Sequence, residues 1–243
     1  MASLLVAGDW HADADHAERI IDAAADRGID RIAQVGDFGY WPRHRTGVRF
    51  LGRVAARCVE RGVSLWFCDG NHEDHSHLLH GRATAPMAVA PSVYWVPRGV
   101  VVEWEGRRLL FMGGAVSIDQ PRRTPGFDWF PQEIPHEKDF SRARASQRVD
   151  VVIAHEGLPD TPLVSTYRAF IPPEILELAD GVRTRMGELA ETLQPRLWFH
   201  GHWHHRMSAM RGSVQVELLH ESRGPFEETA LVLDLETLTT SSL

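Results

Sequence analysis

The first third of the chain alternates two kinds of segment, and that alternation narrows the fold more than any other feature. Apolar runs at residues 4–7, 31–35 and 63–67 read as buried strands. Between them, residues 16–27 carry Ile20, Ile21 and Ala24 on one helical face and stop at Gly28. Residues 48–61 repeat Val48, Leu51, Val54, Ala55, Cys58 and Val59 at helical spacing and stop at Gly62. Strand, helix, strand, helix, strand implies parallel strands joined by right-handed crossovers. Such sheets build their sites beyond the carboxyl ends of the strands. Each of the three runs ends there in polar residues: Gly8-Asp9-Trp10-His11, Gly36-Asp37 and Gly70-Asn71-His72-Glu73.

The middle of the chain changes character. Residues 93–96, 100–104 and 108–112 are short and strand-like, with turn signals at Pro97-Arg98-Gly99 and Glu105-Gly106. They predict an antiparallel meander. Residues 117–134 form a long irregular stretch rich in Pro, Gly, Arg and Trp, a length that in a compact domain marks a functional or a disordered loop. A polar helix is expected near 137–147 and the most apolar strand of the chain at 149–154, ending at His155. Pro159, Pro162, Pro172 and Pro173 mark a second loop. Residues 174–192 read as a helix interrupted near Gly181, and 196–199 as a strand ending at His200-Gly201-His202. The tail, 207–235, holds strand-like pieces expected to pair with the meander. Neither an internal repeat nor a linker is visible, so a single domain over 1–243 is expected.

The polar residues at the strand ends make one set: Asp9, His11, Asp37, Asn71, His155, His202 and His204. Two carboxylates, one amide oxygen and four imidazoles suit borderline divalent ions such as Mn, Fe, Zn or Ni. Seven donors exceed one tetrahedral ion and suit two ions if a carboxylate bridges. Asp9-x-His11 and His202-x-His204 each place two donors on one side of an extended segment. Two ions about 3.5–4 Å apart can clamp a phosphate and activate a water. Taken singly these signals are weak. Gly-Asp after a strand is a common turn, and a lone His is more often a core residue than a ligand. Their joint order, each at a strand end, carries the argument.

That order, Asp-x-His, Gly-Asp, Gly-Asn-His-Glu, a lone His and Gly-His-x-His, resembles the calcineurin-like metallophosphoesterase family over residues 4–204. The resemblance implies an α/β fold, a four-layer α/β/β/α sandwich of mixed sheets. It implies one metal on Asp9, His11, Asp37 and His204, and a second on Asp37, Asn71, His155 and His202, Mn being the leading choice. It makes His72 the catalytic histidine, contacting the phosphate and protonating the leaving oxygen while a bridging hydroxide attacks phosphorus. Two departures qualify it. Ala12 stands where the family often has Gly after the first His. Gly36-Asp37-Phe38-Gly39 lacks the Asp-Arg-Gly of the protein-phosphatase branch, which points instead to a compact member similar to small bacterial and phage proteins.

Composition bounds the alternatives. A formal charge of −7 argues against a non-specific nucleic-acid binder, although a metal pair would still attract a phosphate. Cys58 and Cys68 lie in apolar segments as buried thiols, which fits a reducing, cytoplasmic setting. No secretory leader is expected at the N-terminus and no membrane span anywhere. The leading function is a phosphomonoesterase or phosphodiesterase acting on a phosphoester, a nucleotide being one candidate. A nuclease using the same site is the first alternative, and it would need a basic track that the sequence does not offer. A non-catalytic scaffold is the second, and it should have lost ligands that are all present here. In the 117–134 loop, Arg122 and Arg123 could grip phosphate oxygens and Trp129 could stack on a base, making the loop a partial lid. His75, His77 and His80 and the Arg43-His44-Arg45 turn read as solvated surface, and His205, pointing away from His204, as either exposed or a support behind the ligands.

Overall fold

The computed structural model describes residues 2–78, 82–159 and 168–243. Two sheets face each other. In the first, β1 (Ser3–Ala7), β2 (Arg31–Gln34), β3 (Ser64–Phe67) and β5 (Val93–Trp95) run parallel. At one edge β4 (Met87–Ala90) pairs antiparallel with β5; at the other, β12 (Ala230–Asp234) and β13 (Thr239–Ser242) extend the sheet antiparallel from β1. In the second sheet, β7 (Arg107–Met112), β8 (Val151–Ala154), β9 (Leu197–His200) and β11 (Val214–Leu218) run parallel. Here β6 (Val100–Trp104) and β10 (Met207–Arg211) are the antiparallel edges.

The period-2 alternation of each strand divides its side chains between two layers. From β1, Leu4 and Val6 meet Leu109, Phe111, Val151, Ile153, Leu197 and Phe199 of the second sheet, forming the core between the sheets. Leu5 and Ala7 face the other way, onto α1 (Ala14–Asp26) and α2 (Arg45–Arg61). The outward residues of the second sheet, Leu110, Met112, Val152, Ala154 and Trp198, pack under α3 (Glu137–Ala145) and α4 (Pro173–Leu193). The result is the expected four-layer α/β/β/α sandwich. Helix α1 starts at Asp13, whose carboxylate accepts from His16 N–H at 3.0 Å, and α2 ends at Gly62 in the left-handed conformation.

Three expectations change. The meander is only the β6–β7 hairpin. Val93–Trp95 joins the first sheet beside β3 instead, and the Pro97-Arg98-Gly99 turn carries the chain across to the second sheet. The tail does not pair with that hairpin: β11 lies parallel to β9, and β12 antiparallel to β1. A short apolar run shows which of its faces is buried but not which neighbour it will take, so sheet membership was not readable. Finally, α4 is continuous through Gly181. Its buried face, Ala179, Val182, Met186 and Leu189, outweighs the roughly 1 kcal/mol that a helical glycine costs. Cys58 and Cys68 are both free and buried. No helix among the described residues is long and apolar enough to cross a membrane.

Candidate functional site

The carboxyl ends of β1, β2 and β3 in one sheet and of β8 and β9 in the other open onto the same side, and all seven candidate ligands converge there. Asp37 lies at the centre. Its Oδ2 faces His11 Nε2 at 3.8 Å, and its Oδ1 faces His155 Nε2 at 3.4 Å. On the first side, His11 Nε2 and His204 Nε2 point at each other 3.0 Å apart, and His204 Nε2 lies 3.4 Å from Asp9 Oδ2. One donor atom each from Asp9, His11, Asp37 and His204 falls within a 4.8 Å cluster. On the second side, Asn71 Oδ1 is 3.0 Å from His155 Nε2, and the His155 and His202 rings are 5.1 Å apart.

Close approach requires glycine at two of the turns. A Cβ on Gly70 would meet Asp37 Oδ1 at 2.1 Å, and one on Gly201 would meet Asp9 Oδ1 at 1.8 Å. The backbone is also strained: His11, Ala12, Asp37, His202 and His204 all have φ between 46° and 69°. Each such non-glycine residue costs of order 1–3 kcal/mol and persists only where surrounding structure holds it. Ala12, with φ 60°, shows why a glycine suits that position.

The charges are arranged around Asp37. Burial pushes its carboxyl up, but the charges of His155, His72 and His11 and the His155 hydrogen bond outweigh burial and hold it well below the usual range. Burial lowers His155, but the Asp37 and Asp9 charges and the Asp37 hydrogen bond raise it to about 10. Burial, with the His155 charge, keeps His202 well below its ordinary value. The buried atom Asp37 Oδ2 has no hydrogen-bond partner, and neither does Asp9 Oδ1. A divalent cation fits this donor set. It would satisfy buried carboxylate oxygens that otherwise have nothing to accept from, and it would relieve a contact between two ring nitrogens.

His72 lies at the rim of this cluster, half-buried, with Nε2 4.0 Å from Asp37 Oδ2 and its backbone N–H donating to Asp37 Oδ1 at 2.7 Å. Burial lowers its pKa, Asp37 pulls it back up and the Arg123 cation lowers it again, to about 4. Arg123 reaches over from the 117–134 loop. Its Nη2 meets both His72 ring nitrogens, at 2.6 Å for Nε2, and its Nε donates to Asp119 at 3.0 Å. Arg122 is exposed outside the site. Trp129 is half-buried and donates to Glu133 Oε1 at 3.0 Å. Neither lines the cleft of about 640 Å³ above the cluster, whose walls include Asp13, Ile118, Asp119, Trp203, Ser222 and Arg223.

Several carboxylates support the site that sequence reasoning did not single out. Glu73 is fully buried and accepts from Gly39 N–H at 3.1 Å and Gly70 N–H at 2.6 Å, tying the Asp37 turn to the Asn71 turn. Burial and the Asp37 charge push it up to about 8. Glu221, from the tail, lies 3.6 Å from His204 Nδ1 and 3.9 Å from His11 Nε2. Glu156 Oε2 lies 3.9 Å from His202 Nε2. Glu73, Glu156 and Glu221 each directly follow a histidine beyond an apolar run, His72, His155 and His220, which is a usable signal. Of the residues read as solvated, His75 is buried near Phe130, Arg43 pairs with Asp74 at 2.6 Å, and His205 is exposed. His80 lies outside the described residues.

Comparison with known proteins agrees with this geometry. The calcineurin-like phosphoesterase family model matches residues 2–206. No curated protein matches the chain. Among solved structures, TT1561 of Thermus thermophilus superposes with a TM-score of 0.60 at 15% identity, covering 100% of this chain and 98% of that one. A dimetal phosphatase from Danio rerio superposes with a TM-score of 0.59 at 14% identity, covering 95% and 91%. At such identities the two structures establish the shared fold, and the family match rests on the sequence itself. The chain belongs to the calcineurin-like phosphoesterase family and is a hydrolase acting on phosphoester bonds.

Proposed function

We propose that the chain hydrolyses phosphomonoester or phosphodiester bonds with two divalent transition-metal ions, Mn foremost. Asp9, His11, Asp37 and His204 would hold one ion, and Asp37, Asn71, His155 and His202 the other. The observation that carries this reading is the two-sided Asp37 carboxylate, with one oxygen toward His11 and the other toward His155. When bound, such a pair supplies positive charge against phosphoryl oxygens and an acidified water as nucleophile.

The chain's own residues do the rest. Asp37 and Asp9 keep the centre anionic, so that cations are retained in a buried place. His72 stands beside the cluster, not within it. A phosphoester entering the cleft meets its ring in place of the Arg123 contact, and the phosphate charge raises the ring's affinity for the proton that it passes to the leaving oxygen. Arg123 is already desolvated and held by Asp119, Ser117 and the Asn71 and Asp128 carbonyls, and its guanidinium touches the His72 ring that meets the phosphate, whereas Arg223 on the cleft wall is exposed and paired with Glu221. Arg123 takes the phosphate-gripping role in preference to the exposed Arg122, and the 117–134 loop then acts as a wall of the cleft.

A panel of phosphomonoesters, linear and cyclic nucleotides, and short RNA and DNA, each assayed with Mn, Ni, Zn and Mg, tests the reading. Turnover of small phosphoesters that depends on a transition metal is expected, and Arg123→Ala should raise KM for them. Cleavage confined to polynucleotides would favour the nuclease. Metal binding without turnover of any member would contradict catalysis.

A further inference from the structure

The amide of Asn71 presents its oxygen to His155 and its nitrogen to Ser117, and the structure contains a reason for that orientation. Asn71 Nδ2 donates to Ser117 Oγ at 3.1 Å. Arg123 Nη1 donates to the same oxygen at 3.2 Å. Both lone pairs of the hydroxyl are therefore taken, and its single hydrogen goes to Glu133 Oε2 at 2.8 Å. Glu133 is in turn fixed by Ser117 N–H at 2.7 Å and Trp129 Nε1–H at 3.0 Å, both on Oε1. Ser117 and Glu133 are both fully or almost fully buried, so no water competes for these positions.

We propose that Ser117 and Glu133 form a positioning relay that sets which end of the Asn71 amide faces the metal centre and docks Arg123 at the same time. Glu133 Oε1 already takes two N–H donors and the Ser117 oxygen takes two more, so the hydroxyl hydrogen points at Oε2, which accepts it. The hydroxyl oxygen is then an obligate acceptor, and of the two ends of the Asn71 amide only the nitrogen can face it. The amide oxygen is thereby directed to the centre, where a cation needs an acceptor-type ligand. Outer partners that orient a ligand in this way are worth about 10–100-fold in metal affinity. Trp129 and the far end of the 117–134 loop thus contribute through Glu133, without reaching the cleft.

This inference rests on Asn71 being a metal ligand and does not require the chain to hydrolyse anything. Glu133→Gln tests it, because the new amide nitrogen would donate to Ser117 Oγ and leave the hydroxyl hydrogen seeking an acceptor at Asn71. The side chain of Asn71 would then turn its oxygen away from the centre. In an Asn71→Asp background both ends are oxygens, so orientation no longer matters and the Ser117 hydrogen finds an acceptor on either side. Mn2+ binding is measured by titration against a competing chelator in the native chain, each single variant and the double variant.

Glu133→Gln should weaken one of the two ions about 10–100-fold in the Asn71 chain and less than about twofold in the Asn71→Asp chain. Ser117→Ala removes the shared acceptor while Glu133 keeps its Ser117 N–H and Trp129 partners. It should show the same dependence on residue 71, and it serves as the test if Glu133→Gln fails to fold. An equal loss in both backgrounds would make the pair merely structural, and no loss in either would remove it from the site. A native chain that binds a single ion would overturn the ligand assignment and the relay with it. Two-ion binding without phosphoester turnover would leave the relay standing while the proposed function fails.

Discussion

The two halves of the candidate centre differ in how they meet solvent. In the half formed by Asp9, His11 and His204, the two imidazoles are 20% and 34% exposed and form part of the cleft wall, on strained turns braced by Glu221 of the tail. In the half formed by Asn71, His155 and His202, the side chains are buried, although Asn71 and His202 also border the cleft. His155 Nδ1 lies 3.0 Å from the Val35 carbonyl, and Asn71 is braced by Ser117. Asp37 alone belongs to both. The contrast assigns different tasks to the halves. The buried half holds Asn71 and His155 in one geometry because rotating either would orphan a buried polar group. The open half is where water and a phosphoester can arrive, and the Glu221 carboxylate stands beside both of its rings.

The strongest way to break the comparison is to remove what the halves share. Asp37→Asn deletes the bridging charge, and metal analysis should find both ions weakened by more than the roughly 100-fold limit expected for an outer partner. Two ions retained at full occupancy would mean that Asp37 does not bridge. Next in size is His72→Ala, placed outside both halves. It should keep both ions and lose about 10²–10⁴-fold in turnover, most on substrates with poor leaving groups. An unchanged rate on a poor leaving group would exclude His72 from proton transfer.

Glu221→Gln addresses the open half alone. A competition titration should show one ion weakened about 10-fold and the other unchanged, and equal weakening of both would erase the distinction drawn between the halves. Ala12→Gly should have the smallest effect. Relieving a left-handed alanine should stabilise the fold by about 1 kcal/mol, or roughly 2–4 °C in Tm for a chain of this size, with metal content unchanged. A fall in Tm would show that the Ala12 methyl contributes more through packing than its backbone costs.

Much of this was legible in the sequence because the donors sit at ends of apolar runs, and a parallel sheet brings strand ends together regardless of what lies between them. Asp9, Asp37 and Asn71 follow the ends of β1, β2 and β3, neighbouring parallel strands joined by crossovers, so their meeting is a consequence of handedness and strand order. His155 and His202 end strands of the other sheet in the same way. What was not legible depends on contacts across long separations. Glu221 reaches His204 only because the tail passes the mouth of the site between β11 and β12. Glu133 supports Asn71 only because an irregular loop folds back on itself, with Phe130 buried. The membership of β5 in the first sheet escaped for a related reason. Its three residues carry the same alternation as the hairpin strands that follow, and the choice between sheets is made by the turn at Gly99.

Anomalous diffraction from crystals grown with Mn2+ tests the central claim most directly. Two peaks about 3.5–4 Å apart are predicted, one ligated by His11 and His204, the other by Asn71 and His155, with an Asp37 oxygen on each. A single peak, or a pair that leaves Asn71 and His155 without a metal contact, would contradict a dinuclear centre bridged by Asp37.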